Sequence, residues 1–181
     1  LAVGTRLQDF TTGSWSVFGN EQMRLIAINA ARYDAHKHRA LSVVGDALAG
    51  IEELGQALEG WKAPDPWISK SQSLYAEWNT TVEQHSGPTT DVPPSYAHVI
   101  GAVNRVCDET DLALTAAGGF PGELCKNWKT KSSGTFDCEF GFSCMGYEIA
   151  GGWGAKMADP DRDVIVFVGD GSYLMMNSDI Y

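Results

Sequence analysis

The chain has 181 residues, of which 44% are hydrophobic and 20% are charged, and its formal net charge is −10 at pH 7. This composition is typical of a folded globular protein and not of a disordered one. The acidic balance argues against nucleic-acid binding, which needs basic patches, and no apolar run is long enough to span a membrane, so we expect neither partner.

Residues 1–59 alternate short apolar strands with helical patterns. We predict strands at 1–3, 24–29 and 41–46, and a helix from Ala47 with Asp46 as its N-cap. Strands that alternate with helices predict a parallel sheet, so we interpret 1–59 as the C-terminal part of a Rossmann-like domain. His36 and His38 lie in a polar stretch, where a solvated loop is favoured over a metal site.

Residues 60–95 interrupt this alternation with a cluster of prolines. Within the segment, Leu74, Trp78 and Val82 are spaced four residues apart and predict one amphipathic helix. We therefore interpret 60–95 as an interdomain linker that carries a helix. The prolines are Pro64, Pro66, Pro88, Pro93 and Pro94.

A second α/β unit is predicted over 96–181. A helical stripe runs from Tyr96 to Val106, and the apolar run 111–116 predicts a strand that continues into a loop at Gly118 and Gly119. Paired glycines after a strand allow a ligand or another backbone to approach closely, and ligands bind at the carboxyl ends of strands in open parallel sheets. We therefore expect this loop to face a ligand site.

The segment 141–155 is unusually rich in glycine. A glycine inside a helix costs roughly 1 kcal/mol relative to alanine, so these residues indicate backbone that packs closely against a neighbour. Neither the dinucleotide fingerprint Gly-x-Gly-x-x-Gly nor a Walker loop occurs in the chain.

The run 164–172 predicts a strand buried on both faces, then a Gly-Asp-Gly turn with glycines free to take positive φ, then a helix from Ser172. A strand, a glycine turn and a helix N-terminus together are typical of a phosphate site. Asp170 would repel a phosphate 4 Å away by about 4 kcal/mol unless a cation such as Mg²⁺ lay between them. The alternative is an Asp-Gly hairpin turn that binds no ligand.

The four cysteines, Cys107, Cys125, Cys138 and Cys144, form no Cys-x-x-Cys pair and have no zinc spacing with histidine. We interpret them as buried, reduced thiols of a cytoplasmic protein. Leu1 falls in a strand pattern and Tyr181 closely follows the Gly-Asp-Gly motif, so we expect the chain to be a fragment.

Gly169-Asp170-Gly171-Ser172 resembles the start of the motif that binds thiamine diphosphate (ThDP). Together with Gly118-Gly119 and Cys144-Met145-Gly146, it makes the chain similar to the C-terminal part of ThDP enzymes of the acetolactate synthase type. The resemblance implies an α/β fold with parallel sheets flanked by helices, in which a Rossmann-like central domain ends and a ThDP-binding domain begins.

The resemblance also implies roles for particular residues. Asp170 corresponds to a Mg²⁺ ligand, and Met145, beside Cys144, to an apolar side chain under the cofactor. Five residues correspond to contacts with the diphosphate or the thiazolium: Gly118, Gly119, Gly169, Gly171 and Ser172. The second Mg²⁺ ligand and the glutamate that activates the cofactor would lie outside this chain, so the fragment alone is expected to be inactive and the catalytic residues stay unknown.

Within this family, the stretches 5–15, 141–150 and 169–176 resemble enzymes of inositol catabolism. These enzymes hydrolyse a C–C bond of trihydroxycyclohexane-1,2-dione and open its ring to 5-deoxy-glucuronate. The resemblance implies a cyclic diketone substrate and a homo-oligomer with its sites at subunit interfaces. Acetolactate synthases usually carry Gly-Phe-Gly-Leu-Pro where this chain has Gly146–Ala150. Two alternatives stay open: a carboligase or decarboxylase of 2-oxo acids, and a non-catalytic nucleotide-binding module.

Overall fold

A computed structural model describes residues 1–181, which form two compact units, Leu1–Pro64 and Asp65–Tyr181. Each unit contains a three-stranded sheet in which neighbouring strands are parallel. Helices connect successive strands, as parallel pairing requires. The predicted fold class, α/β with parallel sheets flanked by helices, is confirmed.

The first unit contains a sheet with the strand order β1-β2-β3. All three predicted strands are present, although each is shorter than the sequence pattern suggested. The elements are β1 (Ala2–Val3), α1 (Asp9–Thr12), β2 (Ile26–Asn29), α2 (Arg32–Ala35), β3 (Leu41–Val44) and α3 (Ala47–Ala57), with 3-10 helices at Ser16–Phe18 and Lys37–Arg39.

Two sets of local contacts in this unit involve residues singled out in the sequence, the N-cap of α3 and the two histidines. The Asp46 side chain accepts a hydrogen bond from the backbone N–H of Ala49 at 3.0 Å, which confirms the predicted N-cap of α3. His38 stacks on Trp15 with a ring-centroid distance of 3.9 Å, and His36 Nδ1 lies 2.8 Å from the carbonyl oxygen of Arg32. The two histidines therefore make different local contacts.

The segment predicted as a linker contains a long helix, α4 (Asp65–Ser86), of 22 residues. The predicted apolar stripe is only partly buried, because Val82 is 4% exposed whereas Leu74 and Trp78 are 55% and 50% exposed. The end of α4 contacts the next helix, where Gly101 leaves space for the Ser86 carbonyl. The helix α4 is thus part of the second unit.

The second unit contains a sheet with the order β5-β4-β6, so its first strand is central. Ser95 caps the helix that follows α4 with a capping box. None of the helices is both long and apolar enough to cross a membrane. The elements after α4 are α5 (Tyr96–Val106), β4 (Leu112–Thr115), α6 (Gly119–Asn127), β5 (Phe136–Cys138), α7 (Tyr147–Ala158), β6 (Val164–Val166) and α8 (Asp170–Met176), with a 3-10 helix at Asn177–Ile180.

The core of this unit lies between α5, α6 and the central strand. Its fully enclosed residues are Ile100, Ala113, Leu124 and Phe167, and the rings of Phe120 and Trp128 meet Phe167 edge-on. All four residues of β4 are buried, whereas those of β6 are only half-buried. The prediction that β6 is buried on both faces was wrong, because β6 lies at an edge of the sheet.

All four cysteines are free, but they are not all buried. Cys107 is buried and Cys138 is half-buried, whereas Cys125 and Cys144 are exposed. The prediction of four buried thiols was therefore wrong for the last two. The exposed thiols lie in α6 and in the loop before α7.

Candidate functional site

The carboxyl ends of β4, β5 and β6 lie at the same edge of the second sheet. The chain passes from β4 to β5 on one side and later returns to β6 on the other side, so the loops that follow β4 and β6 diverge. Open α/β sheets bind ligands at such a topological switch point. The predicted glycine loop and the Gly-Asp-Gly motif lie at the two sides of this position.

A buried threonine fixes the ends of the two strands next to each other. Thr115 is 0% exposed, and its hydroxyl donates a hydrogen bond to the carbonyl oxygen of Phe167 at 2.9 Å. The backbone N–H of Phe167 in turn donates to the carbonyl oxygen of Leu114 at 2.8 Å. The carboxyl ends of β4 and β6, from which the two loops start, are therefore joined by hydrogen bonds. Sequence reasoning did not identify Thr115.

The loop after β4 presents Gly118 and Gly119 to solvent. Gly118 has φ +125°, a conformation that L side chains rarely adopt, and it is the N-cap residue of α6. A Cβ atom on Gly119 would meet nothing within 4 Å, so the backbone there is open to a ligand. The loop is shorter than predicted, because Gly119 is already the first residue of α6.

The Gly-Asp-Gly motif differs in conformation from the predicted turn. Gly169 has φ −80° and caps α8, and neither it nor Gly171 has positive φ, so that prediction was wrong. The helix begins at Asp170, two residues earlier than expected. Asp170 is exposed and Ser172 is 3% exposed. The carboxylate thus lies exposed just after the carboxyl end of β6.

The loop before α7 contacts the start and the end of α8. A Cβ atom on Gly171 would lie 3.8 Å from Met145 Cε, so Met145 and Gly171 are neighbours. Met145 is 45% exposed and Cys144 is also exposed, which leaves both available to a ligand. Gly146 has φ +96° and packs against Met176, so a side chain at this position would displace α8.

Two glutamates bind the backbone of this loop, and sequence reasoning missed both. Glu139 accepts hydrogen bonds from the N–H groups of Phe142 and Cys144, each at 2.7 Å, and these bonds lower the pKa of its carboxyl group. Glu148 is 0% exposed and accepts a hydrogen bond from the N–H of Gly146 at 2.9 Å. Its other oxygen, Oε1, has no partner, which costs about 1–3 kcal/mol or more for a buried polar group.

The structure therefore brings some of the predicted site residues together but not all of them. Met145 and Gly171 are neighbours, whereas a Cβ atom on Gly118 would meet only Pro121 of its own helix within 4 Å. Asp170 belongs to no group of three or more His, Cys, Asp or Glu side chains that could hold a metal ion by themselves. A cation at Asp170 would therefore need further ligands, such as phosphate oxygens.

This arrangement of a parallel sheet, two glycine loops at its carboxyl edge and an acidic residue after β6 agrees with a comparison to known families. Residues 116–181 match the family described as thiamine pyrophosphate enzyme, C-terminal TPP binding domain. Thiamine pyrophosphate (TPP) is the same compound as ThDP. All eight predicted site residues lie within the matched range.

Over almost its whole length, the chain is similar to proteins named 3D-(3,5/4)-trihydroxycyclohexane-1,2-dione hydrolase. It is 36% identical to the one from Geobacillus thermodenitrificans, with 99% of this chain and 31% of the relative aligned. The proteins of that name from Bacillus cereus and Clostridium botulinum are 35% and 32% identical, again over 99% of this chain and 32% of the relative. The chain thus spans about a third of the length of these curated relatives.

Proposed function

We propose that the complete protein is a ThDP- and Mg²⁺-dependent hydrolase that cleaves a C–C bond of trihydroxycyclohexane-1,2-dione. The ring would open to 5-deoxy-glucuronate, a step of inositol catabolism. The observation that carries this proposal is the similarity over 99% of the chain to three hydrolases named for this dione. The family of residues 116–181 supports the cofactor part of the proposal.

The residues at the carboxyl edge of the sheet fit a diphosphate. A Cβ atom on Gly119 or on Gly169 would meet nothing within 4 Å, so a ligand could approach the backbone of both loops. In the proposal, five residues contact the diphosphate or the thiazolium: Gly118, Gly119, Gly169, Gly171 and Ser172. Asp170 is exposed at the same edge and would hold Mg²⁺, which removes the repulsion between its carboxylate and the diphosphate.

The remaining contacts concern the rings of the cofactor. Met145 and Cys144 would pack against them, and the exposed apolar side chain of Met145 would exclude water from that face. Bound ThDP supplies an electron sink for the cleavage of a C–C bond next to a carbonyl group. The contribution of this chain is therefore to bind and orient, whereas the activating glutamate is expected in another part of the complete protein.

The proposal also includes a homo-oligomer with its sites at subunit interfaces and a cytoplasmic location. The large apolar side chains exposed on α4, among them Trp67 at 68% and Tyr75 at 71%, are consistent with a helix that is covered in an assembly. The four free cysteines are consistent with a reducing compartment.

The direct test uses the complete protein with ThDP, Mg²⁺ and the cyclic dione, with loss of the dione followed by absorbance and the product identified by NMR. We expect ring opening that requires the cofactor and is lost in Asp170→Ala. The control is Asp161→Ala, an exposed carboxylate that precedes β6 at its other end. Cofactor binding without ring opening would favour a carboligase of 2-oxo acids, and no cofactor binding would favour a non-catalytic module.

A further inference from the structure

The loop before α7 is held by two carboxylates, Glu139 and Glu148, which we call the carboxylate clasp. The backbone N–H groups of three alternate residues, Phe142, Cys144 and Gly146, each donate a hydrogen bond to one of them. Glu139 comes directly after β5, and Glu148 lies in the first turn of α7. The clasp therefore fixes the loop from both of the elements that it connects.

Glu148 is not explained by its contribution to stability. It is 0% exposed, it uses only Oε2 in a hydrogen bond, and Oε1 has no partner. A fold that buries a carboxylate with only one of its two oxygens hydrogen-bonded is less stable than the same fold with a well-packed apolar side chain of similar volume at that position. An unsatisfied buried group in a native fold therefore needs another explanation. One explanation is that Glu148 positions the loop whose Gly146 N–H it binds.

The neighbour that the clasp places is Met145. The N–H groups on both sides of it, those of Cys144 and Gly146, are bound by the clasp. Its Cε atom lies 3.8 Å from the position of a Cβ on Gly171, and Gly146 packs against Met176. The clasp thus binds the backbone on both sides of Met145, whose exposed side chain lies beside the first turn of α8.

We propose that Glu139 and Glu148 are positioning residues that hold Met145 in the place where it supports bound ThDP. This inference rests on the proposed function, because the contact between Met145 and the cofactor comes from it. Neither glutamate needs to touch the cofactor. Supporting hydrogen bonds of this kind, at metal sites, typically change affinity or activity by 10–100-fold when they are removed.

The test compares Glu148→Met with Glu148→Gln in the complete protein. Methionine keeps the length of the side chain, but its sulfur is only a weak acceptor for the Gly146 N–H, whereas the glutamine carbonyl oxygen is a good one. We expect Glu148→Met to weaken ThDP binding about tenfold or more in calorimetry, with an unfolding temperature of the cofactor-free protein that is unchanged or higher. Glu148→Gln should bind ThDP with an affinity within about threefold of the wild-type value.

Alkylation of the exposed Cys144 gives a readout that is independent of turnover. In the wild type, ThDP should slow the reaction of Cys144 with iodoacetamide, because Met145 next to it becomes covered. In Glu148→Met, this protection should require about tenfold more cofactor. Glu83→Gln is the matched control, since Glu83 is an exposed carboxylate on α4 that pairs with Lys129 at 3.0 Å.

If Glu148→Met does not fold, Glu139→Gln provides the second variant, because Glu139 lies in a surface loop and its amide can accept only one of the two N–H bonds. We expect weaker ThDP binding and faster alkylation of Cys144. Unchanged affinity in either folded variant would overturn the inference, as would equal losses in Glu148→Met and Glu148→Gln. A wild-type protein that does not bind ThDP would instead overturn the proposed function.

Discussion

At the scale of single residues, the glycines of α7 differ in what surrounds them. A Cβ on Gly152 would lie 2.5 Å from Val166 Cγ2, so this glycine allows α7 to pack closely against β6. A Cβ on Gly154, two residues later, would meet nothing within 4 Å. The glycine-rich pattern of the sequence indicates close packing, but only the structure shows that Gly152 is a position where a side chain would not fit and Gly154 is not.

Gly152→Ala should therefore destabilise the protein, whereas Gly154→Ala should stabilise it. Overpacking typically costs about 1–3 kcal/mol, which exceeds the helix-propensity gain of roughly 1 kcal/mol from replacing glycine. At Gly154 a Cβ atom meets nothing within 4 Å, so only the gain in helix propensity remains. Denaturant unfolding of the two variants and the wild type measures both effects. Equal changes in the free energy of unfolding would show that α7 does not pack on β6 through Gly152.

The Glu139 carboxylate should make the stability of the loop before α7 dependent on pH. Its pKa lies below its ordinary value of 4.5, mainly because the N–H groups of Cys144 and Phe142 bind the charged form. A lowered folded-state pKa means that this stabilisation is present above the unfolded-state pKa and is lost as the pH falls through the folded-state value.

The measurement is the difference in unfolding free energy between the wild type and Glu139→Gln at a series of pH values. The difference should be constant at neutral pH and should shrink as the pH falls below about 5. Glu77→Gln, on the exposed surface of α4, controls for the loss of one negative charge. A difference that does not change with pH would show that the carboxylate does not bind the loop.

The short motifs of the sequence carry the residues that the resemblance assigns to the cofactor, but not the residues that support them. Asp170 and Met145 lie in short motifs with glycines, and a motif is visible without coordinates. Glu148 and Thr115 are fully buried, and their partners are Gly146 and the carbonyl oxygen of Phe167, which lies 52 positions from Thr115. The charged Glu148 in a stretch of apolar and small residues was the one available signal.

At the scale of elements, α6 and β5 bring the thiols of Cys125 and Cys138 together. Neither cysteine belongs to a metal-binding pattern in the sequence. The neighbouring Cys138 thiol lowers the pKa of Cys125 to about 7, and the pKa of Cys138 is raised in turn. The thiolate is the reactive form of cysteine. Cys125 should therefore be the more reactive thiol of this pair near neutral pH.

We expect the alkylation rate of Cys125 to rise through a midpoint near pH 7. In Cys138→Ala the midpoint should move up toward 9, because the interaction with the second thiol is lost. Cys107 serves as the internal reference, since burial raises its pKa and should keep its reaction slow. Iodoacetamide labelling followed by peptide mass spectrometry reports each cysteine separately. The same midpoint with and without Cys138 would contradict the interaction between the two thiols.

The boundaries of elements could be predicted where capping residues mark them. Asp46 identified the start of α3, and its side chain accepts a hydrogen bond from the first turn of that helix. The length of α4 was missed, because most of its 22 residues are exposed and an exposed helix has no burial pattern. The burial of β6 was overestimated, because its apolar run does not reveal its position at a sheet edge.

At the scale of the whole molecule, cofactor binding and folding are linked. A ligand that binds only the folded state stabilises it by about 2.7 kcal/mol when its concentration is a hundred times the dissociation constant. If residues 116–181 bind ThDP as their family does, the complete protein should unfold at a higher temperature with ThDP and Mg²⁺ than without them. The size of this shift should increase with the logarithm of the cofactor concentration.

Asp170 should determine how far this stabilisation depends on the metal. Without a cation, its carboxylate would repel the diphosphate by about 4 kcal/mol at 4 Å, so EDTA should abolish the thermal shift in the wild type. Asp170→Ala removes the metal ligand and should show a small shift that is the same with Mg²⁺ and with EDTA, whereas Asp161→Ala should behave like the wild type. A full, Mg²⁺-dependent shift in Asp170→Ala would show that the metal is held elsewhere. This outcome would separate the metal assignment from cofactor binding, because binding itself would still be observed.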